Sequence, residues 1–427
     1  MSDVGIYQSR PFAPPRDYSA NSYIVFLPVL HFLVGLWIFS GGFVMFEPSL
    51  YELLFIAVLP LAVIAKVGIY RETLGLFAII LLFIPSAIVA AFQATFLSTI
   101  DALIYISITS FLFITSYFIA NYVADAPFDR MKIIMKAYLF AALITAMIGT
   151  LAYLKILPGE DIFLRYGRAK AFFKDPNVYG PFLILPAMFM LQKLLFVEFK
   201  KSILPAIFFG ILSIGIFVSF SRAAWGVLLL SSILVFGLSF ALQANAKQKV
   251  HMIILAMGGI AIGLVALLGL LSIPSVNKLF IERANIVQSY DGGSTGRFAR
   301  QAYAFELARE NPLGIGPKEF ANLRIKEAAH NTYITTALIY GWGGWLAFFL
   351  LFALTIKRGV GVLYKNSKNR IIMIPLVATF IPLVIEAIII DVNHWRHLFL
   401  IVGLIWGVSA GYFRLSKKQV NEKISLI

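Results

Sequence analysis

Cysteine is missing altogether from the 427 residues, and charged side chains make up only 13% of them. No thiolate can act as nucleophile or metal ligand, and no disulfide can staple the fold. Histidine is scarce too, five in all, so imidazole chemistry has few places to sit. The sequence also lacks a Gly-rich loop ending in Gly-Lys-Ser/Thr, a dinucleotide fingerprint and a plausible serine-nucleophile motif, which sets aside ATP, nicotinamide cofactors and serine hydrolysis. What remains is 60% hydrophobic and 15% aromatic. A water-soluble domain of this size has no use for that balance, whereas a polytopic membrane protein requires it. The formal net charge of +15 would suggest nucleic acid in a soluble chain. Here no basic, aromatic-interleaved soluble segment exists, so nucleic acid is not an expected partner, and the surplus of Lys and Arg reports orientation and contact with membrane lipid.

A bilayer core takes about 20 mainly apolar residues per helix. Twelve such runs lie near 23–46, 50–69, 73–92, 100–120, 133–153, 179–197, 203–220, 224–243, 250–272, 331–356, 371–390 and 395–413. The fold class expected is all-α, with about 12 transmembrane helices and a long helical loop between the ninth and tenth. The expected divisions are a cytoplasmic N-terminal tail over 1–22, helices 1–9 over 23–272, an extracytoplasmic loop over 273–330, helices 10–12 over 331–413 and a cytoplasmic tail over 414–427. The first apolar run is too long for a signal-peptide core and has no small-residue cleavage site, so it is expected to stay attached as the first span. Arg10 and Arg16, Lys66 with Arg71, Arg130 to Lys136, Lys200 with Lys201, Lys247 with Lys249, Lys357 to Arg370 and the C-terminal basic residues fall on alternate loops. The positive-inside rule makes those loops cytoplasmic.

Three segments on the opposite side break the rule: Lys155 to Lys174, the corner at Arg222, and Ser275 to Ala329, which carries Lys278, Arg283, Arg297, Arg300, Arg309, Lys318, Arg324 and Lys326. A long loop carries ordinary surface charge without penalty, so the last segment has two readings. Arg222 has one. It sits in Val-Ser-Phe-Ser-Arg-Ala-Ala-Trp-Gly with almost no loop around it, and an unpaired guanidinium at that depth costs several kcal/mol, which marks a functional site.

Within the long loop, Gly-Gly-Ser-Thr-Gly-Arg-Phe-Ala-Arg reads as a loop, Ser294 or Thr295 as a cap, and a helix on which Arg297 and Arg300 share a face near the positively polarised end. Such an end suits phosphate, and the planar fork of Arg takes two phosphate oxygens at once. Asn-Pro-Leu-Gly-Ile-Gly-Pro (311–317) is a tight turn or a plain connector. His330 and Asn331 stand just before the tenth span. A histidine there serves either as a general base at the membrane face or as a structural residue, and the glycines at 341, 343 and 344 read as close helix packing. In Asp-Val-Asn-His-Trp-Arg-His (391–397), His394 and His397 have helical spacing but no third zinc ligand close in sequence. Trp395 reads better as an interface anchor and Arg396 as positive charge at the outward mouth. The stretch from Tyr166 to Gly180 offers Arg168, Lys174 and Asp175 for substrate contact, or else a surface turn with interfacial aromatics.

Together these motifs resemble a known family. His330-Asn331, nine residues, then Gly341-Trp-Gly-Gly344 is similar to the His-Asn…Gly-x-x-Gly pattern of the O-antigen ligase and Wzy-type polysaccharide polymerase superfamily. Ser221-Arg222 resembles that family's Ser-Arg motif, and residues 311–317 resemble its Pro-Leu-Gly-Ile-Gly loop. The resemblance implies a GT-C-type membrane fold and an inverting, metal-independent glycosyl transfer with no cofactor. The implied donor is a glycan on undecaprenyl pyrophosphate, and the implied acceptor is lipid A core or a growing polysaccharide, both at the periplasmic face of the bacterial inner membrane. His330 is implied as base, with Arg222 and Arg297 on the pyrophosphate. Beside them Asn331 is expected to orient the ring or the acceptor, and Ser221 and Arg300 to contact substrate. The rival class is a flippase for lipid-linked oligosaccharide. Against it, residues 23–197 and 203–413 show no internal repeat of the kind transporters carry.

Overall fold

The computed structural model describes residues 20–284, 296–323, 327–365 and 367–424. Its helices are α1 (Ala20–Ser40), α2 (Leu50–Ile64), α3 (Leu74–Ala91), α4 (Thr99–Asp125), α5 (Pro127–Tyr153), α6 (Pro176–Phe182), α7 (Ile184–Phe196), α8 (Phe199–Val218), α9 (Arg222–Leu242), α10 (Ala246–Leu271), α11 (Pro274–Ala284), α12 (Arg297–Glu310), α13 (Glu319–Leu323), α14 (Thr332–Leu363), α15 (Asn369–Glu386) and α16 (Arg396–Ile424). A two-residue hairpin, β1 (Leu164–Arg165) and β2 (Arg168–Ala169), is the one sheet among the described residues.

Each of the twelve apolar runs forms helix, and the protein is an all-α multi-pass membrane protein. Ten helices among the described residues are long and apolar enough to cross a bilayer, while Phe26–Ser40 and Leu50–Ile64 are shorter apolar helices. Both of those stop earlier than the hydropathy runs suggest. Gly41 and Gly42 end the first in tight turns, with Gly41 N bonded to Ile38 O at 3.2 Å. Lys66, in a left-handed conformation, ends the second. The sixth run starts earlier than hydropathy marks, because Asp175 caps α6 by accepting from Asn177 N at 2.8 Å and Pro176 opens it.

At the centre α16 lies against α4. Gly403, Gly407 and Gly411 recur at one-turn spacing along that contact, and a Cβ at Gly403 would come within 2.6 Å of Ser116 O, one at Gly407 within 2.7 Å of Val123 Cβ. Small residues at a seam let backbones approach where no hydrophobic effect drives association. By contrast α10 buries only Met252 and exposes Ile254, Met257, Ile260 and Val265, a surface suited to acyl chains.

The loops between spans gather at one end. Val44 N bonds Phe172 O, Arg168 Nε donates to Ser219 O, and the Glu319 carboxylate accepts from Thr95 Oγ1 at 2.7 Å and from Phe96 N at 2.9 Å. There the 311–316 turn threads into a break in α14. Gly341 has φ 68° and ψ −173°, a conformation close to glycine-only. The broken turn frees backbone groups that the loop satisfies: Ile315 N donates to Leu338 O at 2.8 Å, and Trp342 N donates to Pro312 O at 2.9 Å. The expectation of helix packing is met at Gly343, whose added Cβ would meet the Ser86 side chain. It is corrected at Gly341, which breaks the helix so that the loop can dock.

Candidate active site

Two cavities open at this end. The larger, about 980 Å³, brings together Arg222 and Ser221 from the start of α9, Arg297 from the start of α12, Arg168 and Asp175 from the hairpin segment, and His330. Arg222 and Arg297 are each the first residue of a helix, so the amide-rich ends of α9 and α12 lie beside the same space. Apolar lining comes from Val227 and Leu230 of α9, Ile385 of α15, and Ile388 and Ile389 just beyond it.

Residue by residue, the arrangement refines the sequence reading. Ser221 caps α9, accepting from Ala224 N at 3.4 Å. Arg168 is buried, its guanidinium donating to Ser219 O and Asn177 Oδ1 at 2.8 Å each. Asp175 caps α6 and pairs with Arg165 at 3.1 Å. Arg300 lines neither of the two cavities and is buried, paired with Glu327. Three residues advance 300° around a helix, which separates the ends of two long side chains even when their Cβ atoms are neighbours. Lys174 lies in the smaller cavity, 2.7 Å from Glu47. Arg396, expected as positive charge at the mouth, is tied to Glu52 at 2.7 Å and Glu47 at 3.2 Å. Asn331 is the cap of α14, its Oδ1 accepting from Tyr333 N at 3.0 Å and Ile334 N at 3.2 Å, so it shapes the entry of the helix. Ser294 and Thr295 lie outside the described residues, and Gly296 is the residue preceding α12. His394 bonds Thr109 Oγ1 at 2.7 Å through Nε2, while His397 packs between Trp395 and Phe182, so the two rings occupy different surroundings.

His330 is held by its backbone. It has φ 56°, and its carbonyl accepts from Gln301 Nε2 at 3.1 Å. Thr332, two residues on, stitches the segment to the 387–392 loop: its N–H donates to Ala387 O at 2.8 Å, its hydroxyl donates to Ile390 O at 2.9 Å, and that same oxygen accepts from Val392 N at 2.8 Å. This registration sets His330 Nδ1 3.7 Å from Asp391 Oδ2. Burial lowers the imidazole below its ordinary value, Asp391 opposes that shift, and the cations Arg297 and Arg300 add to it. Burial likewise raises the Asp391 carboxyl above the usual range. The ring is thus neutral at neutral pH, as a base must be.

Asp391, Arg283 and Glu386 line the larger cavity, and the sequence reading did not assign them to a site. Neither carboxyl oxygen of buried Glu386 has a hydrogen-bond partner. The one signal for Asp391 was an acid at the outward edge of a span. Among the described residues, three of the seven non-glycine positions with positive φ, namely Tyr166, Phe220 and His330, line this cavity, and a fourth, Lys318, lines the smaller one. Backbone strain of this sort gathers at functional sites.

The curated proteins contain no match to the chain. Residues 207–349 match the family described as O-antigen ligase, Wzy_C, a stretch that runs from α8 through Arg222, Arg297 and His330 to the broken turn of α14; over that stretch the chain is similar to O-antigen ligases, which supports a membrane glycosyltransferase-like function.

Proposed function

We propose that the protein moves a glycan from undecaprenyl pyrophosphate onto an acceptor sugar at the periplasmic face of the bacterial inner membrane, as an O-antigen ligase or Wzy-type polymerase. The observation that carries this reading is that Arg222, Arg297 and His330, from three separate stretches of chain, line one cavity. The apolar wall of α9 and α15 suits a polyprenyl chain, with the guanidinium groups at its head.

With His330 Nδ1 turned to Asp391, Nε2 is left to take the acceptor's proton. The acceptor oxygen attacks the anomeric carbon as its O–H bond breaks toward Nε2, and a new C–O bond forms with inversion. The anomeric carbon–phosphate oxygen bond breaks, its electron pair leaves with the pyrophosphate, and Arg222 and Arg297 stabilise that charge. Guanidinium forks here fill the role that a divalent cation plays in other pyrophosphate-releasing enzymes, so the transfer needs no metal. Asp391 steadies the imidazolium that forms.

His330→Ala is expected to cut transfer by about a hundredfold to ten-thousandfold, the usual share of a general base. The measurement is glycan chain length on undecaprenyl pyrophosphate in cells. Long chains stranded on the lipid indicate a ligase and single repeats a polymerase, whereas an unchanged profile removes the base assignment and the transfer reading with it.

A further inference from the structure

Across Asp391 and Trp395 from the arginine cavity lies the second one, about 350 Å³, and the two cavities share Val178, Asp391 and Trp395. It has a different character. Tyr105, Phe173 and Trp395 give it aromatic walls, and Asn393, Lys318 and Arg396 give it polar ones. Two of its cations are already matched: Lys174 by Glu47, and Arg396 by Glu47 and Glu52. Burial opposes ionisation of Glu47, yet Lys174 and Arg396 hold its carboxyl below the ordinary range, so this part of the wall is polar with its charge compensated. The floor is set by a buried chain in which Thr109 Oγ1 lies 2.7 Å from His394 Nε2 and 2.8 Å from Tyr340 Oη. Burial pushes His394 down to about 4, so it adds no charge at neutral pH.

Flat aromatic faces beside compensated polar groups match a pyranose, whose C–H faces stack on rings while its hydroxyls bond around the edge. A volume near the lower end of the roughly 300–1,000 Å³ range of ligand pockets suits the end sugars of a chain better than a lipid. Ala328 and Ala329 line this cavity and lead directly into His330, so a ligand seated here rests on the same strand that carries the base. We propose that this cavity is the acceptor site, which binds the non-reducing end of a glycan and presents one hydroxyl past Asp391 to His330. This inference rests on the transfer reading above.

The test uses the full-length protein in cells that make its glycan, with a photoreactive benzoylphenylalanine replacing either Lys318 in the small cavity or Tyr166 in the large one. Mild acid hydrolyses a glycosyl pyrophosphate while sparing the glycosidic bonds between aldoses. Acid-stable glycan captured at position 318 and acid-labile glycan at 166 is the expected result. Acid-labile glycan, phospholipid alone or no adduct at position 318 overturns the proposal. Independently, Ala321→Trp, which fills the cavity, is expected to raise the acceptor KM about tenfold with the donor KM held; no change, or equal changes in both, also overturns it. If wild type and His330→Ala show the same glycan transfer, the transfer reading itself fails, an outcome separate from failure of the acceptor site.

Discussion

A neutral imidazole beside a buried carboxyl behaves differently from either group alone. His330 takes a proton only while uncharged, and burial together with Arg297 and Arg300 holds its pKa below 6.5. Transfer should therefore be flat through neutral pH and fall on acidification, with the acid limb below pH 6.5. Asp391 is the group that pushes the His330 pKa upward. Asp391→Asn removes that push, so the limb should move to still lower pH while the plateau drops by about a hundredfold or more, as happens when a base loses its orienting acid. A pH–rate profile of both proteins checks the sign; a limb that moves to higher pH contradicts the pairing. At this scale the sequence disclosed what a motif packs into a few positions. His330 stood out as a titratable group at a span boundary, and Arg222 as a charge with no loop to hold it. Asp391 was hidden because its relation to His330 runs through Thr332 and the 387–392 loop, a contact that no spacing encodes. The cap that Asn331 makes and the ion pair of Arg300 with Glu327 were not legible in the sequence.

Among the elements, α14 departs furthest from what periodicity suggests. Hydropathy locates it correctly, since an apolar run announces a span whatever its interior does. The break at Gly341 was not visible, because Gly-Trp-Gly-Gly within an apolar run has the composition of a helix-packing seam. What decides between seam and break is the backbone of residues 312–316, which approaches so closely that an added Cβ on Gly314 would fall 2.5 Å from Ile339 O. Gly341→Ala should cost about 1–3 kcal/mol from the backbone conformation alone, with the clash against the turn added to it. Thermal unfolding in detergent should show a clear drop, and Gly226→Ala, where an added Cβ meets nothing within 4 Å, is the control that should not. Equal losses in the two variants remove the interlock as the cause.

For the molecule as a whole, the apolar runs that become helices were legible because the bilayer imposes them on composition. The ties between distant loops were not legible, because each is a single pair. Glu319 reaches back to the α3–α4 loop through Thr95 and Phe96, and Arg396 at the start of α16 closes on Glu47 and Glu52 near α2. Glu319→Ala leaves the Phe96 amide without its acceptor, a loss of about 1–3 kcal/mol. We expect faster protease cleavage in the loop end of the protein with the rest of the bundle intact; an unchanged digestion pattern shows that the tie is dispensable.

The threaded break in α14 also imposes an order of events on the growing polypeptide. The turn at 311–316 is synthesised before the helix it docks into, and the amides of Ile315 and Gly316 meet their acceptors only when Leu338 and Ile339 arrive. A nascent chain that has emerged only as far as residue 330 holds Arg222, Arg297 and His330 but no frame to align them. The three side chains therefore cannot be aligned before α14 has been made, and the tie of Thr332 to Ile390 and Val392 forms later still.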